Sequence, residues 1–330
     1  MVVRVAVLDD YMGVFRAMAD WDSLGPGVQV DFFADHLFDE AAVAERLAPY
    51  DVVVCERERT PFPRSLLERL PNLRLLVTTG PVNFVIDLAA AAERNITVCG
   101  TGGIATPTGE YVLGLMIALA RRIALDHAAM MQGGWQTAPG MSLHGKTLGL
   151  LGFGRLGQKL ASFGQMLGMQ PLAWSRNMTP ERAAAGGARA ASFDEVLAES
   201  DVVSVHLILG PETRHLIGAR EFGLMKRTAL FINTSRGPIV READMVDALA
   251  SRRIAGAALD VFDAEPLTTD HPLRRQDNVL LTPHMGYVTE ETFRVFYGEA
   301  VENIRSFLGG SPIRQLKQPE IANAAYARSK

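Results

Sequence analysis

A chain of 330 residues is long enough for two domains, each with its own core. Hydrophobic residues make up 48% and charged residues 21%, a globular composition that argues against a disordered or fibrous chain. The formal net charge is −4 and Lys and Arg form no run, so no nucleic-acid partner is expected, because phosphate affinity rests on clustered positive charge.

The opening residues, MVVRVAVLDD, read as a short apolar strand stopped by Asp9 and Asp10. They lack the basic start, long apolar run and small-residue cleavage site of a signal peptide. No apolar stretch reaches the ~20 residues that span a bilayer, so no membrane partner is expected. Further apolar runs at 28–33, 52–55, 73–78 and 96–99 alternate with helix-like segments at 40–47 and 87–94. Strands alternating with helices predict a parallel sheet covered on both faces. Cys55 and Cys99 each sit in or just after an apolar run, as buried thiols do in a reducing compartment. A cytoplasmic protein with no metal site is the expectation.

A helical pattern begins near Pro107, which suits a first turn, and runs to about Gln132, where Gly133 and Gly134 end it. Its apolar positions crowd more than one side (Val112, Leu113, Leu115, Met116, Ile117, Leu119), which predicts burial between layers, between domains or at a subunit contact. A second series of six strand-like runs follows at 147–151, 171–175, 202–207, 229–233, 256–261 and 278–282. That strand count matches a complete dinucleotide-binding sheet. A last helix is expected from about Thr289 to Leu308, returning to pack with the first domain, with a polar tail after it.

The second series opens with a strand that runs into Gly152, Gly154 and Gly157, in G-x-G-x-x-G spacing, and then into a helical run from Arg155 to Leu167. Such a loop allows a tight turn, a close approach of backbone to pyrophosphate, and close packing of helix on strand. The helix N-terminus adds free N–H groups and a positive dipole end. Roughly 20 residues on, an acid that binds the NAD ribose diol is the usual end of the next strand. Here the strand ends Trp174-Ser175-Arg176-Asn177, with no acid. Arg176, with the Ser175 hydroxyl, suits a 2′-phosphate, so NADP is favoured over NAD. The other reading is a solvated arginine beside a loosely bound NAD.

Three ionisable residues fall just past strand ends of this series: Arg236, Glu265 and His284. Ligands of such sheets bind outside the carboxyl ends of the strands. Reduction of a keto acid requires a set of this kind. Arg offers a planar fork to a carboxylate, His supplies a proton near neutral pH, and a carboxylate beside the His fixes its tautomer. Singly, each has a plainer role as a turn histidine, a loop acid or a helix-capping arginine.

With these residues in view, the chain resembles the D-isomer-specific 2-hydroxyacid dehydrogenase family, relatives of phosphoglycerate dehydrogenase and glyoxylate/hydroxypyruvate reductase. The motifs are Gly152–Gly157, Asn233-Thr-Ser-Arg-Gly-Pro, Ala258-Leu-Asp-Val-Phe-Asp-Ala-Glu-Pro and Leu281-Thr-Pro-His-Met-Gly. The resemblance implies an oxidoreductase for small 2-keto and D-2-hydroxy acids, with Arg236 and Glu265 as substrate-binding and relay residues and His284 as acid/base. It implies further cofactor contacts from Arg155, Leu156, Ser175, Arg176, Leu207, Thr234, Ser235, Asp260 and Gly286, with Asp260 facing the nicotinamide amide.

The family's architecture implies two doubly wound parallel-sheet α/β domains. One is discontinuous and catalytic, 1–104 plus 288–330; the other, 105–287, is the Rossmann domain. A homodimer held by the 107–132 segment and the Gly133–Trp135 loop is also implied. One stretch departs from the family. Pro81 has no N–H, and Val82 and Phe84 stand where the family usually has Gly and Asp. Gly80, the Val82 N–H and Asn83 are therefore expected to meet the substrate. Arg57 and Arg59, alternating along what reads as a strand end, could hold a second anionic group or pair with Glu56 and Glu58. The alternative reading of the whole chain is a dinucleotide-sensing regulator of the co-repressor type. Among enzymes, a formate-like or phosphite-like hydride donor is the other option.

Overall fold

The computed structural model describes residues 2–317, so most of the polar tail lies outside the described residues. The chain forms two compact units: unit 1, Met1–Ile104 with Thr289–Lys330, and unit 2, Ala105–Val288. Both are α/β units with all-parallel sheets, as expected.

Unit 1 is built on β1 (Val3–Val7), β2 (Val28–Phe32), β3 (Val52–Cys55), β4 (Leu75–Thr78) and β5 (Thr97–Cys99), in the order β2-β1-β3-β4-β5. Every residue of β3 and β4 is buried, which explains their unbroken apolar runs: a strand covered on both faces has no solvent side to alternate toward. The crossovers include α1 (Glu40–Leu47), α2 (Arg64–Leu67) and α3 (Leu88–Glu93), and the Asp39 and Asp87 side chains cap the first turns of α1 and α3. Both cysteines are buried and free.

The C-terminal helix (Glu290–Leu308) completes the unit. Its buried positions Phe293, Phe296, Tyr297, Ala300, Val301 and Ile304 recur at helical spacing, and it packs on β4 and on the turn that carries Phe15. Phe15 stacks on Tyr297 at 4.2 Å between centroids. The Tyr297 hydroxyl donates to Glu56 Oε2 (2.7 Å), and Asn303 Nδ2 donates to the Gly100 carbonyl (2.8 Å). These bonds tie residues about two hundred positions apart into one core.

The expected alternation of Arg57 and Arg59 does not occur. β3 stops at Cys55 and Arg57 takes a left-handed backbone (φ 50°), so the two side chains are not successive residues on one face of a strand. The Arg57 guanidinium lies over Gly80, where a Cβ would overlap it, and its Nε is 3.7 Å from Glu58. Arg59 sits 5.0 Å over the Tyr11 ring, and Glu56 accepts from Thr79 and Tyr297 instead of pairing with either arginine.

Unit 2 begins with the segment expected to be one helix, and here the structure differs. It forms α4 (Thr106–Ala120) and α5 (Ile123–Met131), broken at Arg122, whose φ is 57°. The Ala120 carbonyl, which a continuous helix would give to the residue four positions on, accepts instead from Met141 N (2.7 Å). The returning chain thus ends α4 by taking its acceptor.

The seven-stranded sheet comprises β6 (Thr147–Leu151), β7 (Gln170–Trp174), β8 (Arg189–Ala190), β9 (Val202–Val205), β10 (Leu230–Asn233), β11 (Gly256–Leu259) and β12 (Val279–Leu281). Its order, β12-β11-β10-β9-β6-β7-β8, is the dinucleotide-binding arrangement with one extra edge strand, and it reverses direction between β6 and β9. The seventh strand, not anticipated, is β8. Two residues are too few for a hydrophobic period, and only pairing with β7 defines it.

Candidate active site

The glycine loop joins β6 to α6 (Arg155–Met166) at that reversal point. Gly152 has φ 101° and lies against the His206 carbonyl, where a Cβ would overlap it. A Cβ on Gly157 would likewise overlap the Gly152 carbonyl, so the absent side chain lets α6 close onto the strand. A Cβ on Gly154 would meet nothing within 4 Å, and no side chain caps the helix. The N–H groups of Arg155, Leu156 and Gly157 therefore begin a helix whose mouth is open to an anion.

Two hydroxyls nearby, Ser175 Oγ past β7 and Thr234 Oγ1 past β10, are buried without a hydrogen-bond partner. Buried hydroxyls are ordinarily satisfied. Orphans at the carboxyl edge of a dinucleotide-type sheet fit a site that takes a hydroxyl-rich or phosphate-bearing ligand. The Ser235 hydroxyl is already used, donating to the Val205 carbonyl (2.7 Å), and Leu207 is half-buried beside Gly152.

Arg176 stands past the tip of β7, and its guanidinium is ion-paired with Glu212 from the loop after β9. Glu212 is not among the residues expected from the sequence, where its one signal is an acid in the Gly-Pro-Glu-Thr turn after a strand end. That turn is stapled. Thr213 Oγ1 donates to the Ile208 carbonyl (2.6 Å) and accepts from Gly210 N (2.8 Å).

Arg236, Glu265 and His284 follow β10, β11 and β12, three neighbouring strands, at one edge. His284 Nδ1 and Glu265 Oε2 lie 2.6 Å apart, and Glu265 Oε1 accepts from Phe262 N (2.9 Å), so the carboxylate is aimed by its own loop. The His284 ring packs edge-on against Tyr287, with centroids 5.6 Å apart.

His284 itself has a left-handed backbone (φ 54°), on a turn held by Asp260. Asp260 Oδ1 accepts from Thr282 Oγ1 (2.6 Å) and Met285 N (2.8 Å), and Oδ2 from Gly286 N (2.9 Å). Burial pushes the Asp260 pKa up, against the pull of these donors and of His284. Its visible work is to clamp the segment that carries His284. Arg236 Nη1 donates to the Ser235 carbonyl (2.7 Å), and its neighbour Gly237 lies backbone-to-backbone against Phe262, with no room for a Cβ. The loops after β10 and β11 are thereby fixed to each other.

The residues of unit 1 expected to meet substrate are less available than their sequence suggests. Asn83 is buried, and its amide donates to the Arg57 carbonyl (2.6 Å) and Thr78 Oγ1 (2.8 Å) while its Oδ1 accepts from Val85 N (3.0 Å). The Gly80 N–H is given to Thr101 Oγ1 (2.7 Å). Both are committed to shaping their own turn, whereas Val82 is 47% exposed.

The model of the D-isomer specific 2-hydroxyacid dehydrogenase NAD-binding domain matches residues 113–286, more than half of the chain and all within unit 2. The chain belongs to this family. A hydroxypyruvate reductase from Blautia hydrogenotrophica is 31% identical over 321 residues, 94% of this chain and 98% of the relative. A glyoxylate reductase from Aeropyrum pernix is 40% identical over 267 residues, covering 78% and 80% of the two chains. Among solved structures, a putative D-3-phosphoglycerate dehydrogenase from Ralstonia solanacearum superposes with a TM-score of 0.89 at 38% identity, covering 95% of this chain and 96% of that one. The residues that match the NAD-binding domain of the family thus lie in unit 2, together with the glycine loop. No helix among the described residues is long and apolar enough to cross a membrane.

Proposed function

We propose that this member of the family reduces a small 2-keto acid to the D-2-hydroxy acid, and the reverse, with His284 as acid/base. The observation that carries this reading is the 2.6 Å His284–Glu265 pair at the carboxyl edge of the dinucleotide sheet. With Nδ1 held by the carboxylate, Nε2 is the ring atom left to give a proton to the carbonyl oxygen as it becomes an alkoxide. In oxidation the same atom takes the hydroxyl proton. Glu265 fixes the ring and stabilises the imidazolium. Arg236 holds the substrate carboxylate through its planar fork. When bound, the reduced nicotinamide supplies the hydride, and the glycine loop, Leu207, Thr234 and Ser235 are the residues that would seat the dinucleotide, with Asp260 and Gly286 holding the His284 turn beside it.

NADP is the favoured cofactor, because Arg176 and the orphan Ser175 hydroxyl stand where an acid would have rejected a 2′-phosphate. The size of the substrate is supported by the names of the relatives, which reduce glyoxylate or hydroxypyruvate. A homodimer is supported by α5, which has no buried residue, and by the exposure of Ile123, Met130, Met131 and Trp135.

The test is a steady-state screen of glyoxylate, hydroxypyruvate, pyruvate and phosphohydroxypyruvate with NADH and NADPH, following absorbance of the reduced cofactor. His284→Ala is expected to lower kcat by about 10²–10⁴ with cofactor affinity kept. Undiminished turnover by that variant would remove His284 from its role.

A further inference from the structure

Arg176 is already partnered, and its partner is an anion. The guanidinium past β7 meets the carboxylate of Glu212, carried by the loop after β9, with the two side chains 52% and 62% exposed. Neither placement is loose. Thr213 closes the turn that presents Glu212, donating to Ile208 and accepting from Gly210, while the Thr213 and Arg214 N–H groups both return to the Gly210 carbonyl (3.1 and 2.9 Å). On the other side, Arg182 bridges the carbonyls of Asn177 and Phe153 (3.2 Å each), which ties the strand tip to the glycine loop. The backbone on both sides is thus held by hydrogen bonds, and the tip carries two guanidinium groups and one facing carboxylate.

We propose that Glu212 is a cofactor-specificity residue, competing with the adenosine 2′-phosphate for Arg176. The inference rests on the reading that Arg176 binds that phosphate. A guanidinium makes its parallel two-bond contact with one oxyanion at a time. The 2′-phosphate must therefore displace Glu212 and then sit beside its negative charge. NADH carries no 2′-phosphate and leaves the Arg176–Glu212 pair intact. The pair thereby narrows the NADPH preference that Arg176 creates, and the carboxylate missing from the end of β7 is replaced, in electrostatic terms, by one reached across the sheet.

The test measures dissociation constants for NADPH and NADH by cofactor fluorescence on wild type, Glu212→Gln, Arg176→Ala and the double variant. Glu212→Gln keeps the shape of the turn and removes the charge. It is expected to tighten NADPH about three- to tenfold, an exposed ion pair plus a relieved repulsion, and to leave NADH within about twofold. In the Arg176→Ala background most of that gain is expected to vanish, which is the coupling a double-mutant cycle isolates. Raising ionic strength is expected to shrink the gain. If Arg176→Ala leaves NADPH binding unchanged, the 2′-phosphate reading fails and the inference with it. If Arg176→Ala weakens NADPH selectively but Glu212→Gln tightens nothing, the competition alone is overturned. An equal gain with and without Arg176, or a weakened NADH, would also overturn it, showing a direct action of Glu212 on the phosphate or on the ribose.

Discussion

His206 follows β9 directly, donates its N–H to the Leu151 carbonyl (2.7 Å), and presses its own carbonyl against Gly152. Both ring nitrogens are shielded from solvent and have no hydrogen-bond partner. Burial with nothing to stabilise the imidazolium pushes its pKa from 6.5 down to about 4. Between those two values the unfolded chain binds a proton that the folded chain refuses. Stability is therefore full above pH 6.5 and falls as the pH drops toward 4.

The full loss amounts to about 3 kcal/mol, and about 2 kcal/mol of it has gone by pH 5. His206→Phe keeps a ring in place, breaks no hydrogen bond and abolishes the titration. Urea unfolding of the cofactor-free protein, followed by tryptophan fluorescence at pH 7.5 and pH 5, reads the difference. Wild type is expected to lose about 2 kcal/mol more than the variant over that interval. At pH 7.5 the variant is expected to be as stable or more so, since an unsatisfied polar ring has been removed. His206→Leu controls for ring size. Equal losses in wild type and both variants would refute the account of His206 as a buried neutral base.

Arg236→Lys is expected to raise KM for the keto acid about tenfold or more and to lower kcat, because an ammonium cannot make the two parallel bonds to a carboxylate; wild-type kinetics in a steady-state assay would mean that the carboxylate is held elsewhere. Met131→Glu combined with Trp135→Glu places charge on the exposed apolar patch of α5 and its following loop. Sedimentation is expected to show a dimer for wild type and a monomer for this variant, and an unchanged dimer would move the interface off this patch.

Local pattern was enough to determine the parallel α/β architecture, the glycine loop and the three ionisable residues past neighbouring strand ends. Each depends on residues close together in the chain: unbroken apolar runs where both faces are covered, G-x-G-x-x-G where backbone must approach backbone, and a charged residue a few positions beyond a strand. The interruption at Arg122 was not legible. The residues around it are helix-compatible, and the break comes from Met141, which takes the Ala120 carbonyl after a long excursion. Asn83 is expected from the sequence to meet the substrate, yet its amide donates to the Arg57 carbonyl, 26 positions earlier. Arg176 reads as a lone cation, yet a turn beyond β9 supplies Glu212. Asp260 is expected from the sequence to face the nicotinamide amide, and in the structure both its carboxylate oxygens accept from the turn that carries His284. In each case a hydrogen bond or ion pair joins residues far apart in sequence. Such a contact leaves no period or spacing behind it, so tertiary structure alone decided which of these polar groups were already spoken for.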